Sequence, residues 1–303
     1  MKIKSDIGLS ILLFITTAFW GIYWLPLRYI ENAGISGVWA VVCVYTVPLM
    51  FLLPLFVVRR KPLRNNAGTT LLIGAAIGGG LAFYAIAFLY TTILRTTLLF
   101  YMTPVWSTLL SMIILKENIS PRRWIAILVG LAGVALIIFS SNPTASGQGI
   151  NRGDVFALLS GVSWGFGTVL IKKSQHIEAT DIVLSQYLCA TVISLIVLTS
   201  TVGSPDFHIP TLSQLKAAMP YITGFYVLII LPGLYITTRI SQIISPGRVG
   251  ILMMSEVLVA AISAPLIAGE VISLTEWGAG LLIVTATLIE VFSPEVNPIQ
   301  ESV

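Results

Sequence analysis

Charge is what this sequence has least of. Asp, Glu, Lys and Arg together make up 10% of 303 residues, against about 25% in soluble domains. A chain so poor in charge cannot cover a water-facing surface of its own size. That excludes an ordinary soluble enzyme and a disordered chain. The net charge of +4 is small and scattered, which excludes a nucleic-acid binder. Cysteine is as scarce. Cys43 and Cys189 are the only two, and both lie in apolar runs, so they read as small hydrophobes and not as a disulfide or a metal pair. No Gly-Lys dipeptide occurs, so there is no phosphate-binding loop and no ATP-driven pump. No H-E-x-x-H occurs either, and no cofactor is expected. No segment alternates with period two over about ten residues, as a membrane barrel requires.

What is present is apolar: 56% of the residues and a mean hydropathy of +0.93. A spanning helix needs about 20 largely apolar residues. Windows of that kind recur at 7–29, 35–58, 69–90, 97–115, 122–140, 155–172, 182–202, 218–237, 249–268 and 276–293. The expected fold is an all-α polytopic membrane protein of ten transmembrane helices, with the lipid bilayer as its solvent. Lys2 and Lys4 before the first window imitate a signal peptide. The apolar stretch is too long for one, so it is expected to be a retained first span. The two longest connections, 141–153 and 203–217, read as polar loops.

Lys and Arg set the orientation. With the N-terminus in the cytoplasm, the inner connections hold Lys2, Lys4, Arg59, Arg60, Lys61, Arg64, Lys116, Arg122, Arg123, Lys172, Lys173, Arg239 and Arg248. The outer ones hold Arg28, Arg95, Arg152 and Lys216. Thirteen against four places both termini in the cytoplasm, and the alternation supports ten spans.

Two segments repeat. Trp20-Gly21 in span 1 matches Trp164-Gly165 in span 6, with Arg28 and Lys172 at the same offset. Glu117-Asn-Ile119-Ser120-Pro-Arg-Arg-Trp124 after span 4 matches Glu270-Val-Ile272-Ser273-Leu-Thr-Glu-Trp277 after span 9, with four of eight positions identical. Each serine stands where a helix N-cap belongs. Pro121 suits a first helical position, and Ser273 with Glu276 forms a capping box. The copies lie five spans apart, and five is odd, so the halves 7–140 and 154–293 are expected to be inverted repeats. Inverted repeats place the substrate between the halves near the bilayer midplane.

These residues resemble the drug/metabolite transporter superfamily, in its ten-helix EamA-type branch of amino-acid and metabolite exporters. The resemblance covers almost the whole chain. Pro104-Val105 running to Glu117 fits the family pattern for span 4. Span 9 departs from it, since Val257 stands at the proline position, while Glu256 precedes it and Glu270 closes the run. The resemblance implies export of a small-molecule substrate across the inner membrane through a cavity lined by both halves. It leaves open whether protons drive the exchange and whether the chain is a monomer or a homodimer.

Glu256 is the one charged side chain placed well inside a predicted span. A charge there costs on the order of 2.5–3.5 kcal/mol on insertion scales, so such residues face a cavity or a partner. It is expected to bind a substrate amine or to carry a proton; packing as a neutral acid is the structural alternative. Aromatic residues with polar tips at membrane depth need a partner for that tip. The candidate substrate-binding residues are therefore Trp20, Tyr84, Tyr101, Trp164, Tyr226, Ser255 and Glu256. Trp124 and Trp277 open their helices and belong to the interfacial belt. Gly74-x-x-x-Gly78, Gly79, Gly80 and Gly161-x-x-x-Gly165 permit close helix approach. Pro26, Pro48, Pro54, Pro104, Pro232 and Pro265 interrupt helical hydrogen bonds.

Two other classes are weighed against transport. Gly161-Val-Ser163-Trp-Gly165 imitates a nucleophile elbow, which needs a strand, a turn and a histidine. The two histidines, His176 and His208, fall in polar connections on opposite sides of the membrane, so an intramembrane serine hydrolase is disfavoured. Inverted repeats favour transport, since an enzyme has no need of a two-way gate; a non-transporting scaffold or receptor is the third reading.

Overall fold

A computed structural model of the chain describes residues 2–35, 37–114, 120–139, 150–203, 207–243 and 252–291. Among the described residues every regular element is helical. Seven helices are long and apolar enough to cross a membrane: Gly8–Asn32, Val38–Val58, Ala67–Ala87, Ile93–Ile114, Arg152–Lys173, Ala179–Thr199 and Leu212–Ser241. Three shorter apolar helices, Trp124–Leu136, Ser255–Ala268 and Leu274–Ile289, supply the rest. They correspond in order to spans 1–4, 6–8, 5, 9 and 10 of the sequence. The fold is thus the expected all-helical polytopic membrane protein built from duplicated five-helix repeats.

The starts of the helices follow local chemistry. Asn151 and Asp154 make a reciprocal capping box that opens span 6. Ser273 and Glu276 do the same for span 10, with the Ser273 N–H donating to Glu276 Oε2 at 2.9 Å and the Glu276 N–H to Ser273 Oγ at 3.2 Å. Span 5 begins with Pro121. Span 8 differs from expectation. The segment 212–217, read as loop, is helical, because Thr211 and Gln214 form another capping box. The helix then continues to Ser241. Trp124 and Trp277 are exposed at the start of spans 5 and 10, as belt residues should be. Lys116, Glu117, Ile119 and Arg248 lie outside the described residues.

Proline shapes the interior of the spans. A 3-10 segment, Phe19–Ile22, interrupts span 1 shortly before Pro26. Span 4 is broken at Tyr101 and Met102, between Ile93–Phe100 and Thr103–Ile114, just before Pro104. A π-helix, Ile222–Ile230, precedes Pro232 in span 8. Proline lacks an N–H and crowds the carbonyl four residues earlier, so the preceding turn widens or tightens. Span 9 turns at Met254 although Val257 replaces the proline there.

The halves pack into each other. Span 3 lies against spans 6 and 7, and span 8 against spans 1 and 2. Span 4 crosses span 6, and span 9 crosses span 1. Span 5 packs on 10, and 2 on 7. Replacing each span by the one five places away maps these pairings onto one another. Small residues make the crossings possible. A Cβ on Gly78 would stand 2.5 Å from the Gln186 carbonyl of span 7, and one on Gly80 would stand 3.2 Å from the Ser160 carbonyl of span 6. In hydrocarbon, where helix association depends on packing and hydrogen bonds, such approaches hold the bundle together.

Candidate substrate site

Glu256 is the second residue of the helix Ser255–Ala268 and has 0% of its surface exposed. The turn at Met254 and the crossing of span 1 set its position: a Cβ on Gly21 would be 2.6 Å from the Glu256 carbonyl oxygen. Its carboxyl reaches across to the first half. The Tyr84 hydroxyl of span 3 donates to Oε1 at 2.5 Å. The Tyr101 hydroxyl of span 4 lies 3.2 Å from Oε2 and also donates to the Met253 carbonyl. Tyr101 thus ties the break in span 4 to the residue just before the turn in span 9. Thr97 supports the group, its Oγ1 lying 3.3 Å from the Tyr84 hydroxyl and donating to the Ile93 carbonyl at 2.9 Å.

An aromatic wall adjoins the carboxyl. Trp20 and Trp164 meet edge to face with ring centroids 5.7 Å apart. Phe100 lies 5.8 Å from Trp164 and 4.8 Å from Tyr84. The indole N–H of Trp20 has no hydrogen-bond partner among the described residues. That N–H lies on the side of span 8, where a Cβ on Gly233 would stand 3.7 Å from it. The Tyr84 and Tyr101 hydroxyls are the side-chain partners of the Glu256 carboxyl.

Five of the seven candidates, Trp20, Tyr84, Tyr101, Trp164 and Glu256, come together in this way. Tyr226 joins through a second layer. Its hydroxyl donates to the Tyr23 carbonyl at 2.9 Å, Tyr23 donates to Tyr45 at 2.9 Å, and Tyr45 to the Leu81 carbonyl at 2.6 Å. Ser255 turns to span 1 instead, with its Oγ 2.8 Å from Thr17 Oγ1 and 2.9 Å from the Phe14 carbonyl. It fastens the two spans together. All seven residues are at most 5% exposed, so they are packed within the protein where the sequence suggested a cavity open to one side. Ser163 sits in the middle of the helix Arg152–Lys173, with no strand-to-helix elbow around it.

Sequence reasoning missed three features. Phe100, which links the wall to the tyrosines, carries no polar tip and so gave no signal. The sequence reading places Arg95 in an outer connection. It is instead the third residue of Ile93–Phe100, fully buried, and it grips Asp154 at 2.6 and 2.7 Å through two parallel bonds. The Asn-x-x-Asp capping pattern at 151–154 was the available clue. Glu270, noticed only as part of a repeat, caps the start of span 4 by accepting from the N–H groups of Ile93 at 2.8 Å and Leu94 at 3.4 Å.

Known proteins give the arrangement a context. The model of the EamA-like transporter family matches residues 8–139 and again residues 151–292. An uncharacterized transporter, YyaM, of Bacillus subtilis (strain 168) is 26% identical over 140 residues, a match spanning 46% of each chain. The chain thus covers about half the length of that curated relative. A solved crystal structure at 16% identity shares the fold, covering 93% of this chain and 97% of the other with a TM-score of 0.60.

Proposed function

The chain belongs to the EamA-like transporter family, and we propose that within it the chain is a secondary active transporter exporting amino acids or related amine-bearing metabolites by alternating access. Membrane transport of small solutes is the activity the family and the transporter relative support. The finer reading rests on one observation: a buried carboxyl, Glu256, is held across the seam between the halves by Tyr84 and Tyr101.

The chemistry follows from that geometry. An ammonium group carries three donors and no acceptor. Entering beside Glu256, it replaces the tyrosine hydroxyls as the carboxyl's partners. The same exchange removes two ties between the second half and spans 3 and 4. Substrate binding and loosening of the seam then become one event, which is what a carrier requires. The faces of Trp20, Trp164 and Phe100 suit an apolar or aromatic side chain and attract a cation. Halves 7–140 and 154–293 act as the two inverted repeats. Both termini face the cytoplasm, by the basic-residue count; the inner membrane is what the family resemblance implies.

The test is transport in sealed proteoliposomes with a panel of labelled apolar and aromatic amino acids. Glu256→Gln should weaken counterflow exchange and pH-driven uptake together if the carboxyl binds the amine. Loss of pH-driven uptake with counterflow intact assigns Glu256 to proton coupling instead. Unchanged transport in both assays overturns the reading.

A further inference from the structure

Three consecutive residues of the first half, Ile93, Leu94 and Arg95, are held by two carboxylates of the second half. Glu270 follows span 9. It takes the Ile93 N–H on both oxygens, at 2.8 and 3.1 Å, and the Leu94 N–H at 3.4 Å. Asp154 opens span 6. It takes the Arg95 guanidinium on both oxygens and the Thr91 hydroxyl at 3.2 Å. Asn151 adds a bond to Thr91 Oγ1 at 3.1 Å. A Cβ on Gly153 would lie 2.6 Å from Thr91, so the two backbones touch. Arg95 and Asp154 are both buried. Bidentate, charge-assisted bonds of this kind are short, strong and geometrically specific.

The grip matters because of what it holds. Ile93–Phe100 is the short helical piece ahead of the break in span 4. One turn after the gripped residues comes Thr97, which touches Tyr84. At the piece's end comes Tyr101, which touches Glu256. The helix Ile93–Phe100 itself links the two carboxylates to the site. By the charge count this end of the bundle faces outward.

We propose that Glu270 and Asp154 are positioning residues which clasp Ile93–Arg95, seat the outer piece of span 4 with Tyr101 against Glu256, and release it when the site opens outward. This rests on the transport reading only for its last clause. The clasp itself is open to direct measurement.

In full-length protein lacking Cys43 and Cys189, a cysteine at buried Thr96 reports opening of the outer piece of span 4 through its rate of alkylation by an impermeant maleimide added outside. Glu270→Ala and Asp154→Asn should each raise that rate by about tenfold or more, the change expected from losing a hydrogen bond to a charged group. Glu270→Gln, which keeps an oxygen for the Ile93 N–H, should hold the rate within about threefold of the parent, a rescue that simple loss of packing does not give. A cysteine at buried Thr70, near the other end of span 3, should keep its parent rate towards a permeant maleimide. If one variant exposes Thr70 as well, it has unfolded and the other decides. Unchanged labelling at Thr96 in both variants, or equal labelling in Glu270→Gln and Glu270→Ala, overturns the proposal. Labelling needs no substrate, so a clasp that responds while Glu256→Gln transports normally leaves the clasp standing and the amine reading refuted.

Discussion

Trp20 and Trp164 occupy equivalent places in the two halves and touch each other, edge to face, with 81° between their ring planes. Equivalent residues in contact lie on the seam that relates the repeats. Any movement of one half against the other must alter this contact. Trp20→Ala and Trp164→Ala should each destabilise the protein by about 3–5 kcal/mol, as large-to-small core changes do. The double variant should fall short of the sum by about 0.5–1.5 kcal/mol, the coupling of an aromatic pair. Thermal unfolding in detergent with and without each change measures it. Strict additivity would place the two indoles in independent environments.

The glycine after each tryptophan does a matching job. A Cβ on Gly21 would stand 2.6 Å from the Glu256 carbonyl oxygen and 2.6 Å from Val259 Cβ. One on Gly165 would stand 3.1 Å from the Ser107 nitrogen and 3.2 Å from the Thr103 carbonyl. The first clash is hard and the second mild. Gly21→Ala should therefore cost about 1–3 kcal/mol through overpacking, and Gly165→Ala less. Gly8→Ala, where a Cβ meets nothing within 4 Å, should be neutral. Apparent melting temperatures of the three variants check the order.

Much of this architecture was legible beforehand, for physical reasons. Ten apolar windows and alternating basic connections suffice for a helical bundle, because hydrocarbon admits only helices and closed barrels and no segment alternates with the period a barrel needs. The repeated Trp-Gly and Glu-x-Ile-Ser segments exposed the duplication. Glu256 stood out because a carboxyl inside a span demands a partner. Its partners did not stand out equally. Tyr84 and Tyr101 look no different in sequence from Tyr226, whose hydroxyl goes to a backbone carbonyl instead. Arg95 was misplaced because a charge near a window edge resembles a loop residue until Asp154, from another span, neutralises it. The turn at Met254 has no proline to announce it.

On the proposed reading, the tyrosine hydroxyls are what a substrate amine displaces from Glu256. Tyr84→Phe removes the shorter of the two bonds, at 2.5 Å. The packed arrangement should lose about 1–3 kcal/mol of stability, since a buried acceptor is left short of a donor. An incoming amine then meets less competition, so the half-saturating concentration should fall. Release should slow, and turnover should fall with it. Tyr101→Phe should act in the same sense and also free the Met253 carbonyl. Initial rates in proteoliposomes across a concentration series separate the two parameters. A higher half-saturating concentration in Tyr84→Phe would mean the hydroxyl itself binds substrate.

The proposed clasp should also respond to pH. Glu270 follows the membrane-spanning helix Ser255–Ala268. Burial raises its pKa above the ordinary carboxylate range, against the opposing pull of the Ile93 and Leu94 N–H groups and of Arg28, and with a further push from Glu276. In the open state the carboxyl meets water, and its value returns to about 4.3. The clasped state has the higher pKa and so binds the proton more readily. Acid therefore favours the clasp. Its contribution is complete below the ordinary carboxylate value and is lost as pH rises through the raised one. Labelling of a cysteine at Thr96 should accelerate with rising pH across that interval, relative to the same cysteine in Glu270→Gln at each pH. That ratio cancels the titration of the thiol and the influence of Arg28 and Glu276 on the rest of the site. The neutral amide cannot lose a proton, so the Gln variant supplies the flat reference. A ratio that stays constant from mildly acidic to neutral pH would show that Glu270 holds span 4 equally well in either protonation state.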